Sequence, residues 1–211
     1  MELFYGADTL VKKPIYGLGN PSNDYGLGFY LTPSYEMARL WASKNKEGGF
    51  VIKYEVDLAK LNVLYLNNST EKDILEWITI LVEHRFSKDE YEANIDRIEW
   101  LKQHYTINLE GIDLIVGYRA DDSYFAYSRD FVKDDLSLEK LSEAMRIGKL
   151  GLQYVLMSKK AFDSIKMISF EEVEQTDEYY SFREKALDEY RDIRKKDDIH
   201  NTFLRDIMRR Y

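Results

Sequence analysis

The sequence predicts an α+β fold, and three observations carry that reading. Segments of alternating apolar and polar residues, such as 48–58 and 61–66, read as strands, while from Thr70 onward apolar residues recur at helical spacing. The two kinds of segment mix without the regular alternation of a doubly wound sheet. A chain of 211 residues, 45% hydrophobic and 14% aromatic, is long enough to bury one sizeable core with an appendage. The division expected is one domain over 1–170 and a helical extension over 171–211 packed on it.

In chain order, Glu2 to Tyr5 reads as a first strand, followed by a polar loop punctuated by Gly and Pro from Gly6 to about Leu27. A structureless connection of that length inside a compact domain is either functional or disordered. Residues 28–32 form a strand, and Thr32 as N-cap with Pro33 at the first helical position opens a helix running to Lys44. After the strands at 48–58 and 61–66, Asn67 to Thr70 twice match a glycosylation acceptor pattern and read as a polar helix start. The helix that follows places Ile74, Leu75, Ile78, Leu81 and Val82 on one face, with Trp77 extending it. A second amphipathic helix spans Tyr91 to Tyr105, and a buried strand beginning at Ile112 runs into the charged turn around Arg119. Helical segments at 123–132 and 137–150 precede strands at 152–158 and 166–169, with a short helix over 159–165 between them. In the extension, acids and bases interleave around Tyr179, Phe182, Leu187, Tyr190 and Ile193, the pattern of a long solvent-facing helix packed along one stripe.

Composition narrows the function classes. The absence of cysteine excludes disulfides, thiolate catalysis and cysteine-ligated zinc, and fits a reducing compartment. His84, His104 and His200 stand far apart with no acid or histidine at ligand spacing, so no metal is expected. A net charge of −8 argues against a general nucleic-acid coat and leaves room only for a local basic patch. No apolar run approaches the roughly 18 residues of a membrane span, and Met1 to Leu10 lacks a basic start followed by an apolar core. A cytoplasmic protein with no membrane partner is the expectation.

The stretch from Tyr25 to Thr32, YGLGFYLT, carries the functional question. Gly26 and Gly28 each forgo about 0.5 to 1 kcal/mol against alanine. They serve either a tight turn into the strand or the close approach of a ligand to the backbone, with Tyr30 presenting its ring to something planar. Trp41, eleven residues after Tyr30, is either an ordinary core residue or a second ring returning to the same cleft. Stacking of a heteroaromatic ring is worth roughly 1 to 3 kcal/mol per base. Downstream, Arg119 has the fork geometry to hold a diphosphate, and Asp121 or Asp122 stands either ready to orient an acceptor or in a solvated turn with Asp122 capping a helix. Arg85, ending an apolar helix, complements the helix dipole or joins the site.

These motifs, taken in order, resemble the ADP-ribosyltransferase superfamily: FYG at 4–6, GLGFY at 26–30, an aromatic eleven positions later and LQYVL at 152–156. Over nearly its full length the chain is similar to a bacterial ADP-ribosyltransferase-like domain family of unknown function, through FYGADTLVKKPI, NDYGLGFYLT, RLWAS, LIVGYRADDSYF, AMRIGKLGLQYVL and LRDIMRR. The resemblance implies a split antiparallel sheet core with flanking helices, and NAD as substrate. It implies that Tyr5 contacts the adenine-side ribose, that Gly6 holds the nicotinamide amide through its backbone, and that Tyr30 and Trp41 close the two faces of nicotinamide. Gln153 falls at or beside the position of a catalytic glutamate. The expected catalytic set is then Tyr30, Gln153, Asp121 and Asp122; the expected NAD-binding set is Tyr5, Gly6, Gly28, Tyr30, Trp41 and Arg119.

The activity so implied is mono-ADP-ribosylation of a macromolecule, in the manner of toxin or phage-defence effectors, with a small helical antitoxin-like protein as partner. Glutamine, however, supplies no charge and no base, and losing a general base typically costs about 10² to 10⁴ in rate. Either another acid substitutes, or the acceptor is a good nucleophile, or the site only binds. The alternatives are therefore an NAD- or ADP-ribose-binding module acting through a partner docked on the extension, and an NAD glycohydrolase.

Overall fold

The structure, a computed structural model, describes residues 1–68, 70–120, 125–146 and 151–211. It is α+β, built on two sheets. In the first, β3 (Gly49–Val56) lies between β1 (Glu2–Ala7) and β7 (Ile165–Val173), all antiparallel. In the second, the order is β2 (Phe29–Leu31), β6 (Leu152–Leu156), β5 (Leu114–Tyr118) and β4 (Val63–Leu66). The pair β4 and β5 is parallel, which departs from the antiparallel core expected. Its cause is the connection: α2 (Glu71–Arg85), α3 (Lys88–Ala93) and α4 (Ile95–Tyr105) supply the long crossover that parallel neighbours need.

Period-2 alternation explains how the sheets stack. Leu3, Ile52 and Tyr54 of the first sheet and Leu31, Leu114, Val116 and Leu156 of the second share one buried cluster. The opposite face of the second sheet, through Ile115 and Val155, packs on the helical core around Leu75, Trp77, Ile78 and Leu81. Behind the first sheet, Val51 meets Ala38 and Ala42 of α1 (Tyr35–Ser43). Among the described residues, the sheets are bridged where Phe4 and Thr32 exchange backbone hydrogen bonds of 2.7 and 2.9 Å.

That junction moves the start of α1. Thr32 is held by the bridge to Phe4, so the cap is Ser34, whose side chain accepts from the Met37 amide at 3.2 Å, and Pro33 precedes the cap instead of opening the helix. The helix expected over 91–105 is likewise two: Asn94, with φ −127° and ψ 25°, leaves the helical region and separates α3 from α4. Later helices are α5 (Phe125–Val132), α6 (Leu138–Ala144) and α7 (Lys159–Asp163). Strand β7 keeps pairing with β3 as far as Val173, past the boundary expected at 170. The extension holds α8 (Glu178–Lys195) and α9 (Leu204–Met208), and Tyr179, Ala186, Tyr190 and Ile193 form the buried stripe of α8. Among the described residues no helix is long and apolar enough to cross a membrane.

Helix α1 lies flush on β1. A Cβ at Gly6 would stand 1.9 Å from the Ala38 carbonyl oxygen, so a side chain there forces backbone apart. Gly6→Ala should lower unfolding stability by about 3 kcal/mol, read as a lower urea midpoint with unchanged slope; an unchanged midpoint contradicts the packing.

Candidate functional site

A cleft of about 760 Å³ opens where β1, β2, the end of α1 and the ends of β5 and β6 meet. The sequence-predicted residues within the described chain all line it. Tyr5 and Gly6 come from β1, Gly28 and Tyr30 from the turn into β2, Trp41 from α1, Arg119 from just beyond β5 and Gln153 from β6. Asp121 and Asp122 lie outside the described residues.

Bringing these residues together does not leave them as the sequence implies. Tyr30 is half-buried, and its hydroxyl donates to the Gly26 carbonyl at 2.7 Å and accepts from the Tyr25 amide at 3.0 Å, bracing the turn. Burial pushes this phenol well above the usual tyrosine range, so it keeps its proton, and its ring rather than its acidity is what it offers a ligand. Trp41 carries the Arg119 guanidinium 3.5 Å from its ring centre, so one indole face already holds a cation. Tyr5 packs its ring on Phe29 at 4.6 Å, and burial raises its hydroxyl above the ordinary value.

The two glycines have different reasons. Gly26 sits at φ 72°, the left-handed region, and a Cβ there would also meet the His84 ring at 2.6 Å. Gly28 is constrained by β6: a Cβ would stand 2.5 Å from Val155 Cγ1. Its missing side chain lets β2 close on β6, while its backbone also lines the cleft.

Sequence reasoning missed Asp24. This buried carboxylate accepts from Arg85 Nη1 at 2.9 Å on one oxygen, and from the Ala120 amide at 2.9 Å and Gln153 Nε2 at 3.0 Å on the other. Desolvation raises its carboxyl above the usual range; Arg85, the Ala120 amide, Gln153 and Arg119 oppose that rise. Arg85 was the available signal, because a guanidinium ending an apolar helix needs an anionic partner. Gln153 Nε2 also donates to the Tyr118 carbonyl at 3.2 Å. Among the described residues, Lys13, Lys44, Arg85 and Arg119 line the cleft against Asp8 and Asp24, a cationic excess on a chain of net charge −8. Such a concavity concentrates positive potential on an anionic ligand.

The extension also reaches the cleft. Tyr179 lines it, with Lys44 Nζ 4.9 Å from its ring centre, and the Thr176 amide bonds the Ser43 carbonyl at 3.0 Å to hold this segment on α1. The sequence gives the extension a docking role only. Among the described residues no group of three or more histidines or acids has the arrangement of a metal site.

Arg85→Met leaves Asp24 buried without its guanidinium, which should cost about 3 kcal/mol. The folded carboxyl lies above its unfolded value of about 4, so the stability it contributes is full below that value and is lost as pH rises through the folded one. Without Arg85 the folded value rises further. The deficit of Arg85→Met should therefore widen between pH 5 and pH 8 in chemical denaturation, and a deficit independent of pH contradicts the pairing.

A family model described as protein of unknown function (DUF3990) matches residues 1–167. No curated protein and no solved structure matches the chain. The matched span contains Asp24 and Gln153 and every other cleft residue except Tyr179. By that match over most of its length, the chain belongs to the DUF3990 family of proteins of unknown function.

Proposed function

We propose that the chain binds NAD in this cleft and breaks the bond between nicotinamide and ribose, passing ADP-ribose to a nucleophile on a macromolecule. One observation supports this reading above others: residues picked from five separate segments, four by their resemblance to ADP-ribosyltransferases and Arg119 for its guanidinium, line a single cleft whose described residues carry a cationic excess. In this assignment the Tyr30 ring and the Trp41 indole flank nicotinamide, and Arg119 exchanges its place on the indole for the diphosphate. Bond cleavage sends the electron pair to the ring nitrogen, which loses its positive charge, and leaves an oxocarbenium-like ribose. The acceptor then bonds C1′ and releases its proton to solvent. The resemblance to toxin and phage-defence effectors further proposes a small helical antitoxin-like protein as partner.

A binding module is the second reading, favoured by a specific observation. The buried carboxylate nearest Gln153 is already engaged by Arg85, the Ala120 amide and Gln153 itself. Incubating pure protein with NAD separates the readings. Nicotinamide release with label transferred to macromolecules in lysate is the expected result; release without transfer indicates hydrolysis, and NAD bound without release indicates the module.

Trp41→Ala should weaken NAD binding by about 5- to 150-fold in calorimetry, the equivalent of one stacked ring. Unchanged affinity contradicts the role given to the indole.

A further inference from the structure

We propose that Asp24 is a positioning residue that, with the Tyr118 carbonyl, locks the Gln153 amide so that its oxygen is the hydrogen-bonding group offered to the cleft, and that a carboxylate at 153 is thereby excluded. The inference rests on the reading of the cleft as an NAD site only for what the locked oxygen meets, a hydroxyl of the ligand.

A glutamine amide has two N–H donors and one carbonyl acceptor. Gln153 Nε2 donates to two groups that only accept, Asp24 Oδ2 at 3.0 Å and the Tyr118 carbonyl at 3.2 Å. Each of these is itself fixed. The Tyr118 carbonyl also accepts from the Tyr25 hydroxyl at 2.9 Å and Trp77 Nε1 at 3.2 Å. Asp24 is held by Arg85 and the Ala120 amide. Turning the Gln153 amide over would aim its oxygen at two acceptors in a buried place, so the network admits one orientation. Gln153 is 2% exposed yet lines the cleft, which leaves the carbonyl oxygen as its remaining polar function there.

The consequence is opposite to the one a simple missing glutamate implies. Gln153→Glu would not restore a catalytic carboxylate; it would set a second carboxylate against Asp24 and the Tyr118 carbonyl. Two acids at that distance cannot both ionise freely, and the pair holds a proton above the unfolded carboxylate range. Folding stability is then full at low pH and is lost as pH rises through the folded value of the pair.

The test compares melting temperatures of the wild type, Gln153→Glu and the double variant Asp24→Asn/Gln153→Glu between pH 5 and pH 8.5, together with calorimetric NAD binding at pH 5.5 and pH 8. Expected is a gap between Gln153→Glu and wild type that grows with pH, and a double variant whose gap does not grow. The slope with pH is the readout, because the amide at 24 in the double variant keeps one acceptor oxygen where Asp24 had two for Arg85 and the Ala120 amide, and absolute stability falls. NAD affinity of Gln153→Glu should drop at least tenfold at pH 8 relative to pH 5.5. A gap constant with pH, or a double variant with the same slope as the single one, overturns the lock. Should the melting pattern hold while the wild type binds no NAD, the NAD reading fails and the lock stands. Should the wild type bind NAD and Gln153→Glu bind it equally at both pH values, the positioning role is overturned.

Discussion

One buried carboxylate organises the cleft end of this molecule. Asp24 reaches across sequence separations of 61, 96 and 129 residues to Arg85, Ala120 and Gln153. Four segments without local reason to meet, the loop after β1, the end of α2, the end of β5 and β6, share that single side chain. A carboxylate out of water is unfavourable unless paired and hydrogen-bonded. The fold satisfies it with a guanidinium, a backbone amide and a side-chain amide. Removing any one leaves a group buried and underserved, so the arrangement behaves as a unit.

The cleft follows from this clamp and from the way the two sheets join. The bridge between Phe4 and Thr32 brings β1 and β2 side by side, so Tyr5 and Tyr30 open on one space. Close contact of α1 with β1 at Gly6 then sets where Trp41 stands, and Arg119 reaches it from the end of β5. The long loop from Asp8 to Gly28 is tethered along its length: the Tyr54 hydroxyl donates to the Val11 carbonyl, Tyr16 packs on Phe162, Asp24 pins the far end, the Tyr25 hydroxyl donates to the Tyr118 carbonyl, and Tyr30 braces the turn at Gly26.

Much of the fold was legible because it is written in periodicity. The helical stripe of α2 can be read from residue spacing alone, and most of that of α8, where Tyr179, Tyr190 and Ile193 are buried but Ala186 replaces the half-buried Phe182 and Leu187; in β3 both faces are covered, so Val51 and Ile52 are buried alike. Boundaries were less legible where tertiary contacts decide. Thr32 has good capping chemistry, yet the bridge to Phe4 takes it and Ser34 caps instead. The parallel pairing of β4 with β5 has no local signature at all. At the site, the motif residues could be named, but their relations could not. Asp24 sits in a polar loop where an aspartate looks solvated, and only its distant partners make it buried. Arg119 on Trp41 and Val155 against Gly28 are likewise contacts between segments, invisible to spacing.

The central claim is that Asp24 holds these four segments together. Amide hydrogen exchange in the wild type and in Asp24→Ala tests it most directly. The account predicts that protection at Tyr25, Gly26 and Ala120 and across the β2 and β6 pairing collapses in the variant, while the β1, β3 and β7 sheet keeps its protection. Equal protection at those amides in both proteins, or a uniform loss over both sheets, would contradict it.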